Sequence, residues 1–233
     1  MNPIDQLTQL FERFPGIGPR QARRFVQFLL VERAGYRNEL AEHIRLLASQ
    51  TSQCGRCYRW FAKDSRSAGT DKKCSICSST SRDAGTLFIV EKDADIENVE
   101  RSGFRGLYFV LGGTIPLAAD EPERHIRLIE LLARLEADAS SPHIGPSSVS
   151  EETHGGRTSV SSKQGVALLT EVILGLSATT EGDHTRQILQ EKILPIAAGL
   201  SFKLSSLGRG LSTGSELEYA DPDTIESALK SRS

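Results

Sequence analysis

Thr86-Leu87-Phe88-Ile89-Val90 is an unbroken β-prone apolar run, and it ends in Glu91-Lys92-Asp93-Ala94-Asp95. A strand that is apolar on successive residues has to be covered on both faces, which is the habit of parallel sheets inside α/β layers. Downstream, Ile96 and Val99 suggest a helix stopped by Gly103, and Leu107-Tyr108-Phe109-Val110-Leu111 makes a second strand closed by Gly112-Gly113. A helix from about Glu123 to Ala137 places Ile126, Ile129, Leu132 and Leu135 inward, and Glu171 to Leu176 gives a third strand. A helix from Asp183 to Ile193 and a strand over Leu200–Leu207 complete the alternation. Alternating strands and helices predict an α/β domain with a mostly parallel sheet. In such sheets functional groups gather at the carboxyl ends of strands. Glu91, Asp93 and Asp95 stand at one such end, and Glu181-Gly182-Asp183 follows another.

Upstream lie Cys54-Gly55-Arg56-Cys57 and Cys74-Ser75-Ile76-Cys77, the only four cysteines of the 233-residue chain, with sixteen residues between the pairs. A two-residue spacer lets both sulfurs of a pair turn toward one point, and two such turns complete a tetrahedral thiolate shell for Zn2+. Two disulfides are the competing arrangement. Cys54, Cys57, Cys74 and Cys77 would fill every coordination position, so the metal is expected to be structural, one per chain. Between the pairs, Tyr58, Trp60 and Phe61 interleave with Arg59, Lys63, Arg66, Lys72 and Lys73. Trp60 and Phe61 are expected to pack as the small apolar lid that a 30-residue module needs.

Ahead of the cysteines the pattern turns helical. Ile4, Leu7, Leu10, Phe11 and Phe14 recur at helical spacing. Pro15-Gly16-Ile17-Gly18-Pro19 follows, with both glycines free to take positive φ and Pro19 suited to the first turn of the next helix. That helix sets Arg20, Arg23 and Arg24 near its start and turns Ala22, Phe25, Val26, Phe28 and Leu29 to the other side. A third helix spans roughly Arg37 to Ser49, with Leu40, Ile44 and Leu47 at similar spacing. A glycine-flanked turn at a helix start leaves backbone N–H groups open to an anion such as a DNA phosphate, and adjacent arginines add to the attraction. Such contacts hold a protein on nucleic acid without reading sequence.

Charge divides the chain in the same place. Residues 1–83 carry 14 Lys and Arg against 8 Asp and Glu, and the other 150 carry 14 against 22. A basic third facing phosphate and an acidic remainder facing another partner are expected. No run approaches the roughly 18 apolar residues of a membrane span, and the first residues lack a basic segment followed by an apolar one. A cytoplasmic location without membrane contact is expected, where thiols stay reduced. Residues 137–164 contain eight serines with Pro142, Gly145, Pro146, Gly155 and Gly156, and read as a mobile surface insertion. Gly208-Arg209-Gly210-Leu211-Ser212-Thr213-Gly214 lacks the Gly-Lys-Ser/Thr ending of a phosphate-binding loop, so an intersubunit contact is the expected role. The domain order is then a helical unit (1–50), a zinc module (51–83), the α/β domain (84–207) and a short tail with a helix (208–233).

Three resemblances attach to these residues. Pro15 to Pro19 with the following arginines resembles the helix-hairpin-helix motif, which binds DNA backbone. Residues 86–111 and 171–193 resemble a Toprim domain, the fold shared by topoisomerases and bacterial primases. Active Toprim members carry a glutamate matched by Glu91 and an Asp-x-Asp pair whose positions here hold Ser177 and Thr179. With the four cysteines, Arg82-Asp83, Gly106-Leu107-Tyr108, Leu111-Gly112-Gly113, Glu181-Gly182, Arg209-Gly210-Leu211 and Leu217-Glu218-Tyr219-Ala220-Asp221, the whole layout resembles the RecR family of bacterial recombination mediators. It departs from that family in a wider gap between cysteine pairs, in the serine-rich insertion, and in Ser212 where proline is usual. The resemblance implies a non-enzymatic DNA-repair protein that forms dimers or ring-shaped tetramers. It also implies action with RecO and RecF to load RecA on single strands. By position it matches Arg20 and Arg24 to basic hairpin residues associated with DNA contact, which join Gly16, Gly18 and Arg23 in the expected DNA site, and it assigns RecO docking to Glu91, Asp95 and Glu181. An active Toprim nuclease or primase-like enzyme, with Glu91 and other carboxylates holding Mg2+, is the alternative.

Overall fold

The computed structural model describes residues 2–63, 72–140, 143–144, 166–167 and 169–208. The chain forms two compact units, Met1–Ser52 with Ala62–Asp64 and Gln53–Phe61 with Ser65–Ser233. The cysteine knuckle, read above as a module of its own, therefore belongs largely to the unit that contains the sheet.

The first unit is built from α1 (Pro3–Glu12), α2 (Pro19–Val31) and α3 (Ala34–Gln50). Asn2 caps α1, its side chain accepting from the Asp5 N–H at 2.9 Å. Ala22 and Val26 of α2 are buried with Thr8 of α1, and Phe11 meets Phe25 edge-on at 5.7 Å. The inward faces expected from periodicity are only partly used. Leu10, Phe14, Phe28, Ile44 and Leu47 are each more than half exposed, and α3 buries no residue. Spacing tells which side chains share a face but cannot tell whether three helices can cover it.

The second unit carries a four-stranded, all-parallel sheet in the order β4-β3-β7-β8. These strands are β3 (Thr86–Val90), β4 (Leu107–Val110), β7 (Glu171–Gly175) and β8 (Lys203–Ser206), close to the expected positions. Helix α5 (Asp93–Arg101) links β3 to β4, and α7 (Thr180–Leu200) links β7 to β8, running through Pro195 rather than ending before it. Leu87, Ile89, Val90, Leu107, Tyr108, Phe109, Val172 and Leu174 are essentially inaccessible to solvent, so the sheet is covered on both faces. At Gly175 an added Cβ would lie 2.0 Å from the Phe88 ring, which explains a glycine in mid-sheet.

Between β4 and β7 the helix starts later than expected. A 3-10 turn at Pro122–Arg124 precedes α6 (Leu128–Ser140), whose phase buries Leu128, Leu131 and Leu135 and leaves Ile129 exposed. The helix also includes residues 137–140, placed above in the insertion, because Asp138 is paired one turn later with Arg134. Two short antiparallel strands, β5 (His143–Ile144) and β6 (Val166–Ala167), pair beyond it. The rest of the serine-rich segment, the Gly-rich stretch after Gly208 and the tail helix lie outside the described residues. The remaining elements are β1 (Thr51–Gln53), β2 (Trp60–Ala62) and the short α4 (Ser75–Ser78).

Arg82, just ahead of β3, joins α5 to β4. It forms a bidentate pair with Glu100 and donates to the Gly106 carbonyl at 3.2 Å, while the Tyr108 hydroxyl donates to Glu100 at 2.6 Å. Hydrogen bonding from Arg82, more than that from Tyr108, holds the Glu100 carboxyl below its ordinary value. A carboxylate depressed in the folded state stabilises the fold above its unfolded pKa, and that contribution is lost as pH falls through the folded value. Urea titrations from about pH 7 to about pH 3 should show stability falling below about pH 4 in the wild type. Glu100→Gln should start lower by roughly 2 kcal/mol and show a shallower acid loss. Equal acid slopes in the two proteins would count against this assignment.

Candidate functional site

Two places in the second unit concentrate chemistry. The first is the knuckle. A turn closes over Cys54 to Arg59, where the Cys54 N–H donates to the Arg59 carbonyl at 2.9 Å and the Tyr58 N–H to the Cys54 carbonyl at 2.9 Å. The second pair starts α4, and the Cys74 N–H points at Cys54 Sγ, 3.4 Å away. All four sulfurs are buried, unoxidised and within 4.8 Å of one another, with Cys57 and Cys74 at 3.6 Å. Bonds of about 2.3 Å to a tetrahedral centre require sulfurs about 3.8 Å apart, so the spacing fits a four-thiolate metal site and rules against two disulfides. Hydrogen bonding within the cluster pulls the Cys54 thiol well down and pushes those of Cys57 and Cys77 up, so the four sulfurs titrate as one coupled group.

The knuckle is fastened to the sheet. The Val110 N–H of edge strand β4 donates to the Cys57 carbonyl at 2.9 Å, and Tyr58 packs edge-on against Phe109 at 5.4 Å. Trp60 N–H donates to Asp93 at 3.1 Å. Burial, partly offset by this bond, raises the Asp93 carboxyl above its usual range. Phe61 packs against the core as expected, whereas Trp60 is 57% exposed and is no lid.

The second place is the carboxyl end of β3 and β7. Strand order reverses between these neighbours, and register pairs Val90 with Gly175, so Glu91 and Ser177 leave the sheet side by side. Glu91 is 8% exposed. Its Oε1 accepts from the Ser177 N–H at 2.6 Å and from the Ser177 hydroxyl at 2.7 Å. The Ser177 and Thr179 hydroxyls are 3.0 Å apart, and Thr179 caps α7 by accepting from the Gly182 N–H at 3.1 Å. Gly182 has no room for a side chain, since a Cβ would sit 2.2 Å from the Ser177 carbonyl oxygen. The carboxylate charge is thus met by an internal chain of hydroxyls and amides. Around it, Asp95 is half-buried and accepts from its own Lys92 N–H at 2.8 Å, while Glu181 is exposed and accepts from Thr114 at 3.2 Å.

The hairpin residues lie in the first unit. Gly16 has φ 75°, but Gly18 does not share that conformation: it is the N-cap of α2 at φ −87°. No side chain caps this helix, and Pro19 occupies its first turn as expected. Arg20, Arg23 and Arg24 are all exposed and line one groove with Glu12 and Gln27.

A Toprim fold carrying a four-cysteine knuckle is thereby defined, and the Toprim family model matches residues 85–202. A second model, described as RecR, C-terminal, matches residues 210–233. Recombination protein RecR of Herpetosiphon aurantiacus is 33% identical over 99% of this chain and 93% of its own. The proteins of that name from Jannaschia sp. and Rickettsia typhi are each 32% identical, over 98% and 99% of this chain and 95% and 96% of theirs. The chain belongs to the RecR family of recombination proteins.

Sequence spacing alone did not reveal that Ser177 donates to Glu91 through both backbone and side chain, since the two are 86 positions apart. Replacing Ser177 and Thr179 together by Asp should set two carboxylates beside Glu91, and Asp keeps the helix cap. Titration of Mn2+ followed by electron paramagnetic resonance should show binding at this end in the double variant and much weaker binding in the wild type. Equal binding would mean that the hydroxyls do not decide it.

Proposed function

We propose that this protein is a non-enzymatic, DNA-binding recombination mediator that acts with RecO and RecF to load RecA onto gapped single-stranded DNA. The observation that carries the non-enzymatic part is the pairing of Ser177 with Glu91: hydroxyls stand at both positions where active Toprim members hold aspartate. Two hydroxyls supply no charge to fix a catalytic Mg2+, so the same crevice serves as a surface rather than a reaction centre. Arg20, Arg23 and Arg24 beside the uncapped start of α2, with Gly16 and Gly18 shaping the turn, form the sequence-independent DNA contact. For docking of RecO, exposed Glu181 and half-buried Asp95 present charge, and Glu91 holds the Ser177–Gly182 turn in place. The four cysteines hold one structural Zn2+. Exposed Leu10, Phe14, Leu30 and Ile44 around a groove of about 1010 Å3 support assembly into a homo-oligomer, a dimer or tetrameric ring.

Arg20→Glu with Arg24→Glu should weaken binding of a labelled oligonucleotide by about 100-fold at low salt. Zinc content and the complex with RecO should persist. An unchanged affinity would remove the hairpin from the DNA contact, and metal-dependent cleavage or primer synthesis by the purified wild type would restore the enzyme reading. Atomic absorption should find one zinc per chain, lost in Cys77→Ala together with much of the fold's thermal stability.

A further inference from the structure

Between the knuckle and α6 lies a cleft of about 580 Å3 that none of the roles above uses. One wall is the knuckle, with Arg56, Tyr58, Lys72 and Lys73; the other is the α6 face carrying Ile129 and Arg134. Lys72 and Lys73 are exposed at its rim, and Lys72 has no carboxylate within ion-pair distance among the described residues. At the base, Arg134 is 7% exposed. It donates to Asp138 at 3.1 Å and to the carbonyls of Arg56 at 2.8 Å and Tyr108 at 2.7 Å. Its Nη2 is buried without a hydrogen-bond partner among the described residues. Asp138 also meets Arg56 at 3.2 Å, so a single carboxylate is shared by two guanidinium groups. Among the described residues of the lining, Glu130 is the other acidic group.

The walls between these charges are apolar. Ile129 is 66% exposed, which is costly for a side chain with nothing to cover, and Ala133 and Ala137 continue its face toward Tyr58. Cations at a rim and an uncharged, partly aromatic wall suit a strand whose phosphates are charged and whose bases are flat and apolar. We propose that this cleft is a second nucleic-acid site, taking a segment of single strand with its phosphates on Lys72 and Lys73 and a base against Ile129 and Tyr58. It takes DNA as the ligand from the reading above but uses none of the hairpin residues.

The full-length chain tests it with a labelled oligothymidine, measured by fluorescence anisotropy over a salt series. Lys72→Gln with Lys73→Gln should weaken binding about tenfold, and should lower the log–log salt slope by about 1.4, as expected for two single-strand phosphate contacts. Ile129→Glu, on an exposed position that cannot threaten folding, should weaken binding in the same direction. If the lysines serve only to neutralise the knuckle's thiolates, their replacement lowers metal content and Ile129→Glu leaves affinity unchanged, which overturns the proposal. Unchanged affinity in both variants with metal retained overturns it too. Loss of binding in the Arg20 and Arg24 variant alone leaves the DNA-binding function standing and this site refuted. Loss in the cleft variants alone leaves this site standing and removes the hairpin from the DNA contact. If a polyglutamate peptide, and not oligothymidine, loses affinity in the cleft variants, the cleft belongs to an acidic protein segment and the proposal falls.

Discussion

The bond from the Val110 N–H to the Cys57 carbonyl closes the outer side of β4, the edge that a four-stranded sheet would otherwise leave open. Its acceptor stays in place only while the Cys54–Cys57 turn holds its shape, and four converging sulfurs are what hold it. A loop of this size cannot bury enough apolar area to fix itself, so metal binding and sheet edge share one free energy. Tyr58 reports the same dependence. At φ 62° it occupies a conformation that costs an ordinary residue about 1 kcal/mol. Its ring recovers that cost against Phe109 and under Arg127, whose guanidinium lies 5.4 Å from the ring centre. Arg127 in turn donates to the Val110 carbonyl at 2.9 Å and passes so near Gly112 that a Cβ there would be 2.7 Å from Nη1. The Gly112-Gly113 closure of β4 therefore leaves room for the same Arg127 that covers the knuckle's Tyr58.

At the same carboxyl end of the sheet, Ser177 and Thr179 put hydroxyls beside Glu91 in the crevice between β3 and β7. The arrangement that makes a Toprim crevice is intact: neighbouring parallel strands, a glutamate at one end and a helix start at the other. With Ser177 donating twice to Glu91, the glutamate's charge is satisfied internally, and the helix start is capped by Thr179.

The sequence was most legible where one constraint fixed one pattern. Buried parallel strands demand unbroken apolar runs, and β3, β4 and β7 lie where those runs are. A tetrahedral metal shell demands paired cysteines, and the sulfurs converge. It was least legible where a face can be apolar without being buried, as with Phe28 and Ile44, or where helix phase depends on a polar pair. Ile129 and Leu128 are equally apolar in sequence, and only the start of α6 decides which of them enters the core. Trp60 is a case of the same kind: an aromatic beside a metal knuckle need not be part of its lid.

The pair Arg134–Asp138 shows why such a polar interaction persists inside a core. An aliphatic pair of similar volume would fill the space with no desolvation cost, and replacements of that kind are often neutral or stabilising. Stability alone is therefore a poor account of it. What aliphatic side chains could not do is supply donors to the carbonyls of Arg56 and Tyr108, which belong to the knuckle and to β4. Arg134 reaches both from α6 while Asp138 keeps its guanidinium in plane, so one side chain fixes the mutual register of three elements. Replacing it would leave two carbonyls short of a partner, at about 1–3 kcal/mol each. The ion pair serves alignment, and having no net charge of its own it leaves the sign of the neighbouring cleft to Arg56, Lys72 and Lys73.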